Sequence, residues 1–116
     1  MRPKTIKTSE LEGAALDWAV AEAVNGFEGL SHWSAVTYGG YSPSTDWSQG
    51  GPLIERFQIM TKSSASGTWI AYIPVPKKDG YLDWIKTSGQ SPLIAACRAI
   101  VAAKLGDEVD VPEGLV

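Results

Sequence analysis

The sequence predicts an α+β fold: an N-terminal helix and a long C-terminal helix packed on a small, mainly antiparallel sheet, with a long central loop. Three observations carry this. Residues Pro92 to Leu105 stand between a capping serine, Ser91, and a terminating glycine, Gly106, with proline at the first helical position. Phe57 to Lys62 and Thr68 to Ile73 are β-prone runs joined by the hairpin-sized linker Ser63-Ser64-Ala65-Ser66-Gly67. Ser9-Glu10-Leu11-Glu12 has the capping-box pattern and precedes an apolar-periodic stretch.

The first helix is expected from Glu10 to about Val24, stopping at Asn25-Gly26. Its apolar residues fall in two groups, Leu11, Ala15 and Trp18 on one side and Leu16, Val20, Ala23 and Val24 on another. Such a helix is either wedged between layers or keeps one side for a partner. Phe27 to Ser31 reads as a connection. Trp33 to Tyr38 reads as a short strand, because its residues are β-prone. The central loop follows, over Tyr41 to Arg56, YSPSTDWSQGGPLIER. Pro43 presets a turn, and Gly50-Gly51-Pro52 is expected to open a short helical turn over Leu53 to Arg56.

In TWIAYI nearly every residue is apolar, so that strand is expected to be covered on both faces, and Pro74 and Pro76 to end it. Lys77 to Gly80 is a surface turn. Tyr81 to Ile85 is too short to type, and Lys86 to Gln90 reads as loop. The last helix has a broad side of Leu93, Ile94, Cys97, Ile100, Val101 and Leu105. Its opposite side is alanine, at 95, 96, 99, 102 and 103, small enough for another backbone to come close. Val109 and Val111 form a possible edge strand before Pro112.

At 116 residues the chain is expected to be one domain, residues 1–116. Hydrophobic content of 44% with 20% charged residues is the balance of a globular protein. The net charge of −3 argues against nucleic acid held on a broad basic face. Charge concentrates at the ends: Arg2, Lys4 and Lys7 open the chain and Asp107, Glu108, Asp110 and Glu113 close it. Two solvated termini are the simpler reading. No signal peptide is expected, because Glu12, Asp17 and Glu22 interrupt the Ala-rich run, and no apolar run is long enough for a membrane span. The expected location is the cytoplasm.

The chemistry available is sparse. One cysteine and one histidine, Cys97 and His32, make no zinc motif, and Cys97 falls in a helical apolar pattern that predicts a buried thiol. A triad of Ser31 or Ser34, His32 and Asp46 lacks a nucleophile elbow. No phosphate-binding glycine loop is present, although Gly50-Gly51-Pro52 could offer backbone N–H groups to an anion. No metal or cofactor is implied, and no catalytic motif is found. Asp46 is the most informative single residue, a lone carboxylate among Tyr38, Tyr41, Trp47 and several hydroxyls. Its simpler role is to accept loop N–H bonds and pin the turn. An ion pair with Arg56 or Arg98 is also expected.

Three stretches are shared with a known family. KTSELEGAALDWAVAEA, YSPSTDWSQGGPLIER and SPLIAACRAIVAAKLGDEVDVPEGL resemble the NinX-type proteins of tailed phages and prophages. The run DWSQGGPLIE, followed later by PLIAA and KLGDEV, is the most specific part. Tyr41, Asp46, Trp47, Gly50, Gly51, Pro52, Arg98 and Asp107 lie in the shared stretches. Ser63 to Tyr81 adds nothing to the likeness. The resemblance implies phage or prophage origin and a bacterial host cell, and it carries over no catalytic residues.

The leading expectation is therefore a non-enzymatic phage accessory protein that acts by protein–protein contact, as a homodimer or with a phage or host partner. Five tryptophans, the split first helix and the alanine side of the last helix motivate it. The alternative is a small-ligand or nucleotide-binding module using residues 41–56. Its candidate ligand-binding residues are Tyr41, Asp46, Trp47, Arg56 and Arg98.

Overall fold

A computed structural model describes residues 3–24 and 32–116. The expected helix stop at Asn25-Gly26, the connection Phe27 to Ser31 and the basic Arg2 lie outside the described residues. The order is β1 (Pro3–Lys7), a 3-10 turn (Thr8–Glu10), α1 (Gly13–Val24), α2 (His32–Thr37) and α3 (Trp47–Arg56). Then come β2 (Met60–Ser63), β3 (Trp69–Pro76), β4 (Leu82–Gly89), α4 (Pro92–Leu105), β5 (Glu108–Pro112) and a 3-10 turn (Glu113–Leu115). The fold is α+β, as predicted, but with two antiparallel sheets, β1-β5 and β2-β3-β4.

Helix α4 is the axis of the fold. Ser91 caps it, accepting the Ile94 N–H at 3.1 Å, and Gly106 ends it with φ +96°. Its two sides serve two cores. Cys97 and Val101 join Leu11, Ala15, Leu16, Ala19, Val20, Val109 and Val111. Ala95, Ala96, Ala99 and Ile100 join Ile59, Ala71 and Ile73 beneath the three-stranded sheet. The alanines thus admit the sheet closely, and α1 is wedged between α4, α2 and β5. Burying a side chain such as Ile100 stabilises the fold by about 1.5–3 kcal/mol.

The two charged ends meet. In the β1-β5 ladder, Lys7 is opposite Glu108 and Thr5 opposite Asp110, with a hydrogen bond from Thr5 Oγ1 to Asp110 Oδ1. The charged side chains Lys4, Lys7, Asp107, Glu108 and Asp110 stay exposed to solvent, as expected, while their backbones pair. Ile6 pairs with Val109 and packs on the core, which gives the strand its inward side.

Other expectations are corrected. Trp33 to Tyr38 is not a strand: most of it is α2, whose buried Ala35 sits on the helix that packs against α1. The tertiary contact overrides a weak β preference. Helix α1 begins at Gly13, whose φ of +58° turns the chain after Glu12, so the Ser9–Glu12 stretch lies before the helix rather than capping it. The central loop is mostly helix, because α3 starts at Trp47 and runs through Gly50-Gly51-Pro52. Strand β3 continues through both prolines. β2 pairs only as far as Tyr72, so at Pro74 and Pro76 a missing N–H breaks no ladder bond on that side. Residues read as untyped or loop, Leu82 to Gly89, form β4.

Candidate functional site

The predicted site residues are placed by three elements. Tyr41 precedes the turn at Ser42 to Thr45, where the Thr45 and Asp46 N–H groups donate to the Ser42 carbonyl at 3.1 and 2.9 Å. Asp46 is the N-cap of α3. Its carboxylate accepts the Ser48 N–H at 2.9 Å, the Ser48 hydroxyl at 2.6 Å and Gln49 Nε2 at 3.2 Å. The hydroxyl of Ser48 foremost, then its N–H, holds the Asp46 pKa below 3.8. Gln49 also reaches back, donating to the Gly40 carbonyl and accepting the Ser42 N–H. Asp46 therefore pins the turn to the helix.

The expected ion pair with an arginine does not form. Arg56, at the far end of α3, lies over the Phe57 ring at 5.0 Å. Arg98 donates to two backbone carbonyls instead, Leu11 at 2.9 Å and Ser88 at 3.0 Å. It ties the segment before α1 to β4. Burial lowers the guanidinium pKa, and Glu12 opposes the shift. Tyr41 packs against the first core, and its hydroxyl is pushed up to about 12, chiefly by burial. Asp46 and Trp47 are neighbours at the start of α3, and the Arg56 charge acts on the Tyr41 hydroxyl, opposing its upward shift. Trp47 is 58% exposed and borders a cavity of about 380 Å³ walled by Ser44, Thr45, Gln90, Ser91, Leu93 and Ile94.

Asp17 was missed by sequence reasoning. It lies on α1, buried, and accepts the Ser44 N–H at 2.9 Å. Ser44 Oγ is buried beside it without reaching hydrogen-bond geometry. Burial raises the Asp17 pKa above 3.8, opposed by its contacts with Ser44. The signal available was its place on the seam between two apolar groups, a position that points inward. Cys97 is buried as expected, and desolvation pushes its thiol up to about 12. His32 Nδ1 lies 2.6 Å from Glu22 Oε1, an ion pair when the ring is protonated. Among the described residues no group of three or more His, Cys, Asp or Glu is arranged to hold a metal.

The other conspicuous surface is on the three-stranded sheet. Side chains alternate along a strand, so Ala71, Ile73 and Ile85 face α4 while the intervening residues face away. The outward grid is Met60, Ile70, Tyr72, Pro74, Leu82 and Trp84, with Lys62 and Lys86 among them. Lys62 Nζ lies 6.0 Å from the centre of the Tyr72 ring, and Lys86 is directly opposite Tyr72. Met60 is 57%, Leu82 58% and Trp84 45% exposed. The free edge of β4 is blunted at two points: Asp83 Oδ1 accepts the Trp84 N–H, and Arg98 occupies the Ser88 carbonyl.

These features define an α+β protein with an open apolar sheet face and a capped, internally bonded central turn. The chain belongs to the family described as Bacteriophage P22, NinX, whose sequence profile matches residues 7–104. The matched region runs from the end of β1 through nearly all of α4. Asp107 and the segment after it lie outside that region. A comparison with curated proteins finds no match.

Proposed function

We propose that this phage-family protein is a non-enzymatic accessory protein that acts in the cytoplasm of the bacterial host by contact with another protein. The observation that carries this is the outward face of β2-β3-β4, where Met60, Leu82 and Trp84 stay exposed although both cores are built without them. Contiguous exposed apolar surface of this kind marks contact sites. The α1 and α4 surfaces first considered for a partner are used up inside the fold. Phage membership supports the cellular setting. No described helix is long and apolar enough to cross a membrane.

Light scattering on protein isolated from phage-carrying cells tests this reading. The wild type is expected to run heavier than its own 12.4 kDa, and Trp84→Ser to run as a monomer with an unchanged urea midpoint. A wild type that is strictly monomeric speaks against it.

A second reading rests on Trp47. Its exposed indole beside the 380 Å³ cavity gives a flat apolar wall of the kind that small ligands use. In that reading Asp46 and Trp47 meet the ligand, while Arg56 and Arg98 are engaged elsewhere, on the Phe57 ring and on the Leu11 and Ser88 carbonyls. Quenching of indole fluorescence by a nucleoside, lost in Trp47→Leu, is the expected sign, and quenching that survives the substitution counts against it.

A further inference from the structure

We infer that the partner of the sheet face is an acidic protein segment with apolar side chains, and not a second copy of this chain. This rests on the reading of the sheet face as the contact surface. Residues 57–91, which build the sheet, carry four lysines and two aspartates, whereas the rest of the chain carries six cations and eleven carboxylates. The sheet is a cationic part of an acidic protein, and the other basic stretch, at the start of the chain, runs into β1, which is paired with acidic β5. Lys62 and Lys86 stand inside the apolar grid, flanking Tyr72 from the two neighbouring strands. Lys77 and Lys78 lie in the turn that joins β3 to β4. Such an arrangement attracts carboxylates to the rim of an apolar contact and steers their approach.

A second copy is disfavoured by symmetry. A two-fold contact lays the same patch on itself, so Lys62 and Lys86 would face lysines across a dry interface. Strand addition at the β4 edge is disfavoured as well, because Asp83 and Arg98 already occupy the Trp84 N–H and the Ser88 carbonyl. A partner that lies across the face meets neither obstacle. Its apolar side chains cover Trp84 and Met60 while its carboxylates reach the lysines.

Amide shifts in a nitrogen-15 NMR titration test this. The probe is a synthetic peptide alternating glutamate with leucine and tyrosine, and the control replaces glutamate by lysine. The glutamate peptide is expected to move the amides of β2, β3 and β4, and the lysine peptide to leave them. Lys62→Glu with Lys86→Glu is expected to weaken binding about tenfold or more at low salt, with less effect at high salt. Equal shifts from both peptides overturn the acidic partner while leaving the sheet face as a contact surface. Shifts elsewhere, or none, overturn both. An oligothymidylate that moves the same amides more strongly, or a purified dimer that Trp84→Ser dissolves, overturns the inference in favour of nucleic acid or a second copy.

Discussion

The Asp17 carboxylate on α1 accepts the backbone N–H of Ser44 at 2.9 Å, joining two residues twenty-seven positions apart in a buried contact. This bond holds the turn before α3 against the first helix. Asp46 then fixes the same turn from its other end. The turn that opens the segment most like a binding loop in the sequence is thus held by two carboxylates.

Removing the first anchor is expected to be costly. Asp17→Ala leaves the Ser44 N–H buried without an acceptor, a loss of about 1–3 kcal/mol by urea unfolding. Asp17→Asn keeps an acceptor without a buried charge. The sign follows from the raised pKa: the folded state binds the Asp17 proton more tightly than the unfolded state. Its contribution is fully present below the ordinary value of 3.8 and declines as pH rises through the higher folded value. Asp17→Asn is therefore expected to match or exceed the wild type at pH 7, with the difference vanishing in acid. A deficit at pH 7 that persists in acid contradicts this.

Two adjacent glycines in α3 are expected to behave oppositely. A Cβ at Gly50 would stand 2.3 Å from the Pro43 carbonyl oxygen and 2.6 Å from Leu93 Cδ2. Gly50→Ala is therefore expected to destabilise by about 1–3 kcal/mol despite its better helix propensity. At Gly51 the nearest contact is Trp47 Cε3 at 3.8 Å, an ordinary packing distance. Gly51→Ala is expected to stabilise by about 0.5–1 kcal/mol. Equal effects at the two positions, read from thermal or urea midpoints, would show that α3 does not pack on the turn as described.

These glycines explain why the central segment was misread. Gly50-Gly51-Pro52 carries the local marks of a break, and propensity alone places the helix start there. Gly50 is small because Pro43 and Leu93 approach it, a tertiary reason that no local pattern displays. The same limit hid β4. Its inward residues Asp83, Ile85 and Thr87 do not contrast with outward Leu82, Trp84 and Lys86, so period-two alternation is absent. By contrast α4 was legible to the residue, because Ser91, Pro92 and Gly106 state its ends locally. For the candidate site, Asp46 as an anchor of its own turn was legible from its isolation among hydroxyls. That no arginine pairs with it was not, because Arg98 is drawn to the carbonyls of Leu11 and Ser88, distant in sequence. The exposed apolar sheet face was illegible, since it depends on which side of the sheet α4 covers.

Cys97 should report global opening. Its thiol is buried and its pKa is pushed up to about 12, so thiolate is scarce at neutral pH. Native protein is expected to resist a thiol reagent such as iodoacetamide, with labelling that rises in step with urea unfolding. Rapid stoichiometric labelling of the folded protein at pH 7 would contradict the packing of α4 between its two cores.

In the proposed function the outward face of β2-β3-β4 meets another protein. Photo-cross-linking in phage-carrying cells tests it most directly, with benzoylphenylalanine placed at position 84 or, separately, at position 47. A cross-linked polypeptide is expected from position 84 and none from position 47. Cross-links from position 47 alone, or from neither position, would contradict it.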